Sequence, residues 1–165
     1  MKATTYTKCT VSILLIIIMS AYAVSASDNA IINIPMNNNA IASIVLTPKS
    51  WNFFELFLSS ESETALNYFL IDNNGTVNVD VFIKGSNSSG WTINKIAPGT
   101  DNFSLKYKLQ SGGDWSGIGP SDDAFIPSLA HDESEYFGMQ ILMPTASTTA
   151  VTPQTMTVTF TATAN

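Results

Sequence analysis

Near its C-terminus the chain alternates strictly: Met156, Val158, Phe160 and Ala162 are interleaved with Thr155, Thr157, Thr159, Thr161 and Thr163. A period of two puts every apolar residue on one face of an extended strand and every threonine on the other. Threonine suits the wet face because its branched Cβ fits a pleated backbone. The same period recurs upstream. Val77, Val79, Val81 and Ile83 alternate with Asn78 and Asp80, with Phe82 interrupting the polar face; Phe103, Leu105, Tyr107 and Leu109 alternate with Ser104, Lys106 and Lys108; and Phe137, Met139, Ile141 and Met143 share one side. No segment of comparable length places apolar residues at helical spacing. Such a chain has to bury one face of several strands against another sheet.

Further strands are expected at Ile41–Leu46, within Trp51–Leu58, at Leu66–Ile71 and at Trp91–Ile96, with Trp51 and Trp91 in or beside the core. Turn formers separate them: Thr47-Pro48-Lys49, Ser59–Glu63, Gly85–Gly90, Pro98-Gly99 and Ser111-Gly112-Gly113. Asp72–Thr76, with Asn74-Gly75 between apolar runs, reads as a hairpin turn using positive φ. The expectation is an all-β, immunoglobulin-like antiparallel sandwich of about seven to nine strands over residues 41–165. Residues 27–40, SDNAIINIPMNNNA, differ from it. There the short apolar run Ala30–Ile34 is cut off from the body by Pro35 and Asn37-Asn38-Asn39, as a leader strand on a tether would be.

The first 26 residues have their own character. Lys2 and Lys8 precede the apolar block Val11–Met19, and Val24-Ser25-Ala26 ends it as a small-residue cleavage site would. This is the pattern of a secretory signal peptide. Retention as an anchor is the alternative, although the block is shorter than the about 20 residues that span a bilayer. Cys9, the single cysteine, stands before the apolar block, where a lipid-bearing cysteine would not be. Cleavage after Ala26 would leave a chain without disulfides or thiol chemistry. Its five lysines against thirteen acids give a formal charge of −8. That sign argues against nucleic acid and anionic membranes as partners.

The ordered set Pro48-Lys49-Ser50-Trp51-Asn52-Phe53, Tyr68–Val77 and Val79–Gly85 resembles exported immunoglobulin-like domains of the Hydin-like type. Those run from proline and an aromatic through a Phe-x-Ile strand and Asn-x-Gly to a valine-rich strand ending in glycine. Across roughly residues 45–163 the resemblance implies a sandwich serving as a surface spacer, adhesive module or assembly subunit, with no catalytic residue to carry over. Gly112–Tyr136 is longer and more acidic than that pattern requires.

The candidate sites are few. Three glycosylation sequons begin at Asn74, Asn87 and Asn102, each in or beside an expected loop. Asp122, Asp123, Asp132 and Glu133 offer carboxylates to calcium but lack the spacing of a calcium loop, so a solvated acidic loop is the simpler reading. His131, the one histidine, has no second nitrogen ligand to join. The carboxylate pairs Asp122/Asp123 and Asp132/Glu135 are neighbours in sequence, whereas glycoside hydrolysis needs two carboxyls facing each other across a cleft. Nucleophile-elbow, phosphate-loop and zinc-protease motifs are absent from the sequence. Trp115, within Gly112–Gly119, could stack on a sugar from a glycine-rich loop or cover one end of the core. The sequence therefore predicts a non-catalytic secreted or cell-surface structural or adhesive protein without cofactor. Its partners would be other surface proteins or copies of itself, and Ala30–Ile34 suggests a filament subunit that joins by strand addition. The alternative is a carbohydrate-binding module built on Trp115.

Overall fold

The computed structural model describes residues 40–53, 55–149 and 153–165, so the signal-peptide and leader expectations lie outside the described residues. Ten strands form two sheets: β1 (Ile44–Thr47), β2 (Glu61–Glu63), β3 (Phe69–Asn73), β4 (Val79–Gly85), β5 (Thr92–Ile93), β6 (Asn102–Leu109), β7 (Gly112–Ile118), β8 (Asp123–Leu129), β9 (Ser134–Leu142) and β10 (Val158–Ala164). One sheet runs β1-β3-β9-β6-β5, with β2 also on β9 and β7 also on β6; the other runs β10-β4-β8. The described residues contain no helix. The all-β sandwich is as expected, with one strand more than the upper count.

Alternation explains the well-placed strands. In β4 the buried positions Val79, Val81, Ile83 and Gly85 alternate with half-buried ones. β9 sends Phe137, Met139 and Ile141 to the same core. The two sheets meet through aromatic rings. Phe137 of the larger sheet lies 5.1 Å from Phe125 of β8 and 5.6 Å from Phe160 of β10, and Phe69 stacks on it at 5.1 Å. Such pairs add directional attraction to the burial of large apolar area.

Several expectations change, the turn expected at Ser59–Glu63 among them, where Glu61–Glu63 pairs with β9 as β2. Gly112–Ile118 is a strand, not a loop: it folds back on β6, and Gly112 and Gly113 supply φ values of 135° and 94° at the tight end of that hairpin. Asp123–Leu129 is also a strand. It escaped recognition because Pro127 reads as a strand breaker, yet the missing N–H is tolerated here because β8 is an edge strand with register shifts against β4. The described residues of Trp51–Leu58, in contrast, belong to no strand.

The stretch Asp72–Thr76 is not a hairpin either. It ends β3 in one sheet and leads to β4 in the other, so 74–78 is a crossover. Neither Asn74 nor Gly75 takes a positive φ. Gly75 is needed because a Cβ there would lie 2.2 Å from the Ile41 carbonyl oxygen. The anchoring residue is Asn73, fully buried. Its amide Nδ2 donates to the carbonyls of Val77 (2.9 Å), Leu129 (3.0 Å) and Ala130 (3.0 Å), while Oδ1 accepts from Gly75 N–H (3.0 Å). Its backbone also exchanges hydrogen bonds with Glu133 O and Asp132 N–H. One side chain thus clasps the β3–β4 and β8–β9 crossovers at one end of the sandwich, called here the near end. Removing it strands buried carbonyls, so Asn73→Ala should cost about 1–3 kcal/mol. Asn73→Asp, which aims a carboxylate at those same carbonyls, should cost more; urea unfolding of the two variants gives the order.

Candidate functional site

A sandwich has two long sides to close. Along one of them, β1 pairs only with β3 and β10 only with β4 among the described residues. The two strands flank each other across a shallow cleft lined by Ile44, Leu46, Val158 and Phe160 without joining in a ladder. Here the inward residues of both strands are only half-buried, whereas those of β3, β4 and β9 are sealed. Toward the opposite, far end the seam widens into a groove of about 750 Å³. The buried sheet residues Phe69, Phe137 and Met139 line its floor, and Met156 and Trp51 form part of its walls.

Local sequence builds this opening. β1 ends after four residues, at the cis Thr47-Pro48 bond. Proline cannot continue a ladder, so the chain leaves the edge there. In the segment that follows, Trp51, Phe53, Leu56 and Phe57 line the groove from outside any named strand. Trp51 and Phe53 make an edge-to-face contact at 5.4 Å, and Phe57 stands at the rim 84% exposed. Among the described residues, the row of apolar side chains is flanked by two strand edges whose outer backbone N–H and C=O groups join no ladder. The arrangement can therefore accept an extended peptide by main-chain hydrogen bonding, with alternate side chains filling the groove.

At the far end a polar cluster fixes the loop beside this opening. Asp101 accepts from Thr148 N–H at 2.7 Å, from the Thr148 hydroxyl, and from Ser147 Oγ at 3.1 Å. Ser147 Oγ in turn accepts from Trp91 Nε1 at 3.0 Å. The Thr148 side-chain bond, followed by its backbone bond, holds the Asp101 carboxyl below the usual carboxylate range.

The sequence-derived candidates are scattered. Asn74 is exposed on the near-end crossover. Asn87, at the far end of β4, is exposed, and its Oδ1 accepts from Ile93 N–H at 2.9 Å. Asn102 opens β6, its amide donating to Thr100 O at 2.7 Å and accepting from the Thr92 hydroxyl, and Ser104 of that sequon is buried in the strand. Trp115 is half-buried in β7, in phase with Gly117, which pairs with Lys106. The acids are separated. Asp122 and Asp123 meet Lys84 (3.3 Å) and Lys95 (2.7 Å) where β8 begins, while Asp132 and Glu133 follow its other end and Asp132 meets exposed His131 at 3.2 Å. Among the described residues no three metal-capable side chains gather.

The groove itself was not foreseen. Period two tells which face of a strand is apolar but not whether a neighbouring strand is missing. The only sequence hint was the break of pattern at Pro48. Comparison with protein-family models, with curated proteins and with solved structures finds no match.

A carboxylate held below its unfolded value stabilises the fold above that value, about 3.8, and the contribution disappears as pH falls through the lower folded value. The difference in melting temperature between the protein and Asp101→Asn should therefore shrink as pH is lowered from about 5 to about 3. Thermal scans across that range check the sign.

Proposed function

We propose that this chain is a non-catalytic, exported structural protein that assembles by accepting an extended strand along its open seam. The observation that carries the reading is the apolar groove flanked by two strand edges, β1 and β10, that join no further strand among the described residues. A small apolar ligand could fill such a volume but would leave both rows of backbone groups without partners; a strand serves the volume and the edges together. The basic-then-apolar N-terminus supports export, and display at the cell surface follows as the setting in which a disulfide-free sandwich would work as a scaffold or adhesive unit.

Blocking the seam separates this reading from one in which the sandwich acts alone. Val158 is half-buried, so Val158→Lys should leave the fold intact while placing a charge at the groove wall. Sedimentation of the exported protein should show concentration-dependent polymers that collapse to monomers in Val158→Lys, with the circular dichroism of the variant unchanged. Monomers at every concentration for the unaltered chain would contradict the proposal.

A further inference from the structure

The seam does more than invite a strand: its dimensions and the path of the chain specify one. We infer that the strand is Ala30–Met36 of a second copy, docked antiparallel to β10 and parallel to β1, so that copies join head to tail. This inference rests on the strand-acceptor reading above.

The pattern of that segment fits the groove. Ala30, Ile32, Ile34 and Met36 fall on one face of an extended chain, and Ile31, Asn33 and Pro35 on the other. β10 presents Val158, Phe160 and Ala162 inward over the same seven-residue length, about 23 Å at 3.3 Å per residue. Set antiparallel, Met36 lies opposite Val158, Ile34 opposite Phe160 and Ile32 opposite Ala162. Residues directly opposite share a face, so Ala30, Ile32, Ile34 and Met36 enter the groove and Ile31 stays on the outer face with Asn33. Asn33 then stands outward beside Thr161. Pro35 falls at the level of Thr159, near the wide end, where the larger sheet no longer offers β1 as a partner. This follows from the core contacts: Phe160 meets Phe137, the partner of Phe69, and Thr47, the last residue of β1, pairs with Leu70. The missing proline N–H is least costly where only one edge is present.

The direction follows from where the chain leaves the sandwich. Ile41 is pinned to the near-end crossover, its N–H donating to Thr76 Oγ1 (3.0 Å) and its carbonyl accepting from Thr76 N–H (2.8 Å). The groove opens at the far end, among Trp91, Met143 and Met156. A segment leaving one end and entering a neighbour at the opposite end makes a heterologous contact that repeats without closing. Within a neighbour it runs with its N-terminus toward the near end, parallel to β1. A leader filling its own seam would have to turn back at Asn37–Asn39 and run the other way, so direction separates the two arrangements.

The test uses the full chain carrying Cys9→Ser, which contains no other cysteine. One batch also carries Asn33→Cys and a second Thr161→Cys, both at positions facing away from the groove. Mixed and oxidised, they should give disulfide-linked heterodimers in at least tenfold excess over a control mixture of Asn33→Cys with Thr47→Cys. The double variant should give a covalent ladder of polymers. A double variant that closes as an intrachain-bonded monomer would overturn the second-copy assignment. Polymers that persist after deletion of residues 27–36 would overturn the choice of segment while leaving the seam an acceptor. Absence of polymers from the undeleted chain would remove both readings.

Discussion

Two facing sheets bury their apolar faces only as well as their long sides are closed, and among the described residues one side is left open. The rings of Phe69, Phe125, Phe137 and Phe160 form a continuous contact through the middle of the sandwich. On the open side that core is covered by half-buried residues of β1 and β10 instead of a paired strand. Hydrophobic burial favours covering those residues, and the unpaired edges favour covering them with backbone. Both preferences point to the same kind of partner.

The two ends of the molecule are held differently, and this gives the open side a direction. At the near end Asn73 satisfies carbonyls from two crossovers and leaves little room, as the close approach of Gly75 to Ile41 shows. At the far end Asp101, Ser147 and Trp91 fix the loop after β9, but the chain after β1 spreads into an irregular aromatic segment and the groove widens. A closed near end and an open far end give the sandwich a direction. Polarity of this sort is what an unbranched head-to-tail assembly requires.

How much of this was legible in the sequence depended on whether a strand carried its own pattern. β4, β6, β9 and β10 did, because each places its apolar residues at every second position. β7 did not: GGDWSGI commits only Ile118 to the deep core. β8 was hidden by its acidic start and by Pro127, both tolerable on an edge. WNFFELFL looked like a strand because it is aromatic, yet its apolar residues follow no period of two, and Trp51, Phe53, Leu56 and Phe57 line the groove from outside any named strand. Asn74-Gly75 carried the residues of a hairpin, but whether a turn joins strands in one sheet or crosses to the other depends on distant partners. The deciding contacts of Asn73 reach Leu129 and Ala130. The seam was least legible of all, since an open edge is a property of topology.

The account turns on whether backbone pairs along the free edge of β10. Amide hydrogen exchange measured on the assembled protein and on a form lacking residues 27–36 addresses this directly. Protection of β10 amides is predicted to be at least a hundredfold greater in the assembled form, with β8, the opposite edge of the same sheet, unchanged. Equal protection of β10 in the two forms would contradict strand addition at the seam.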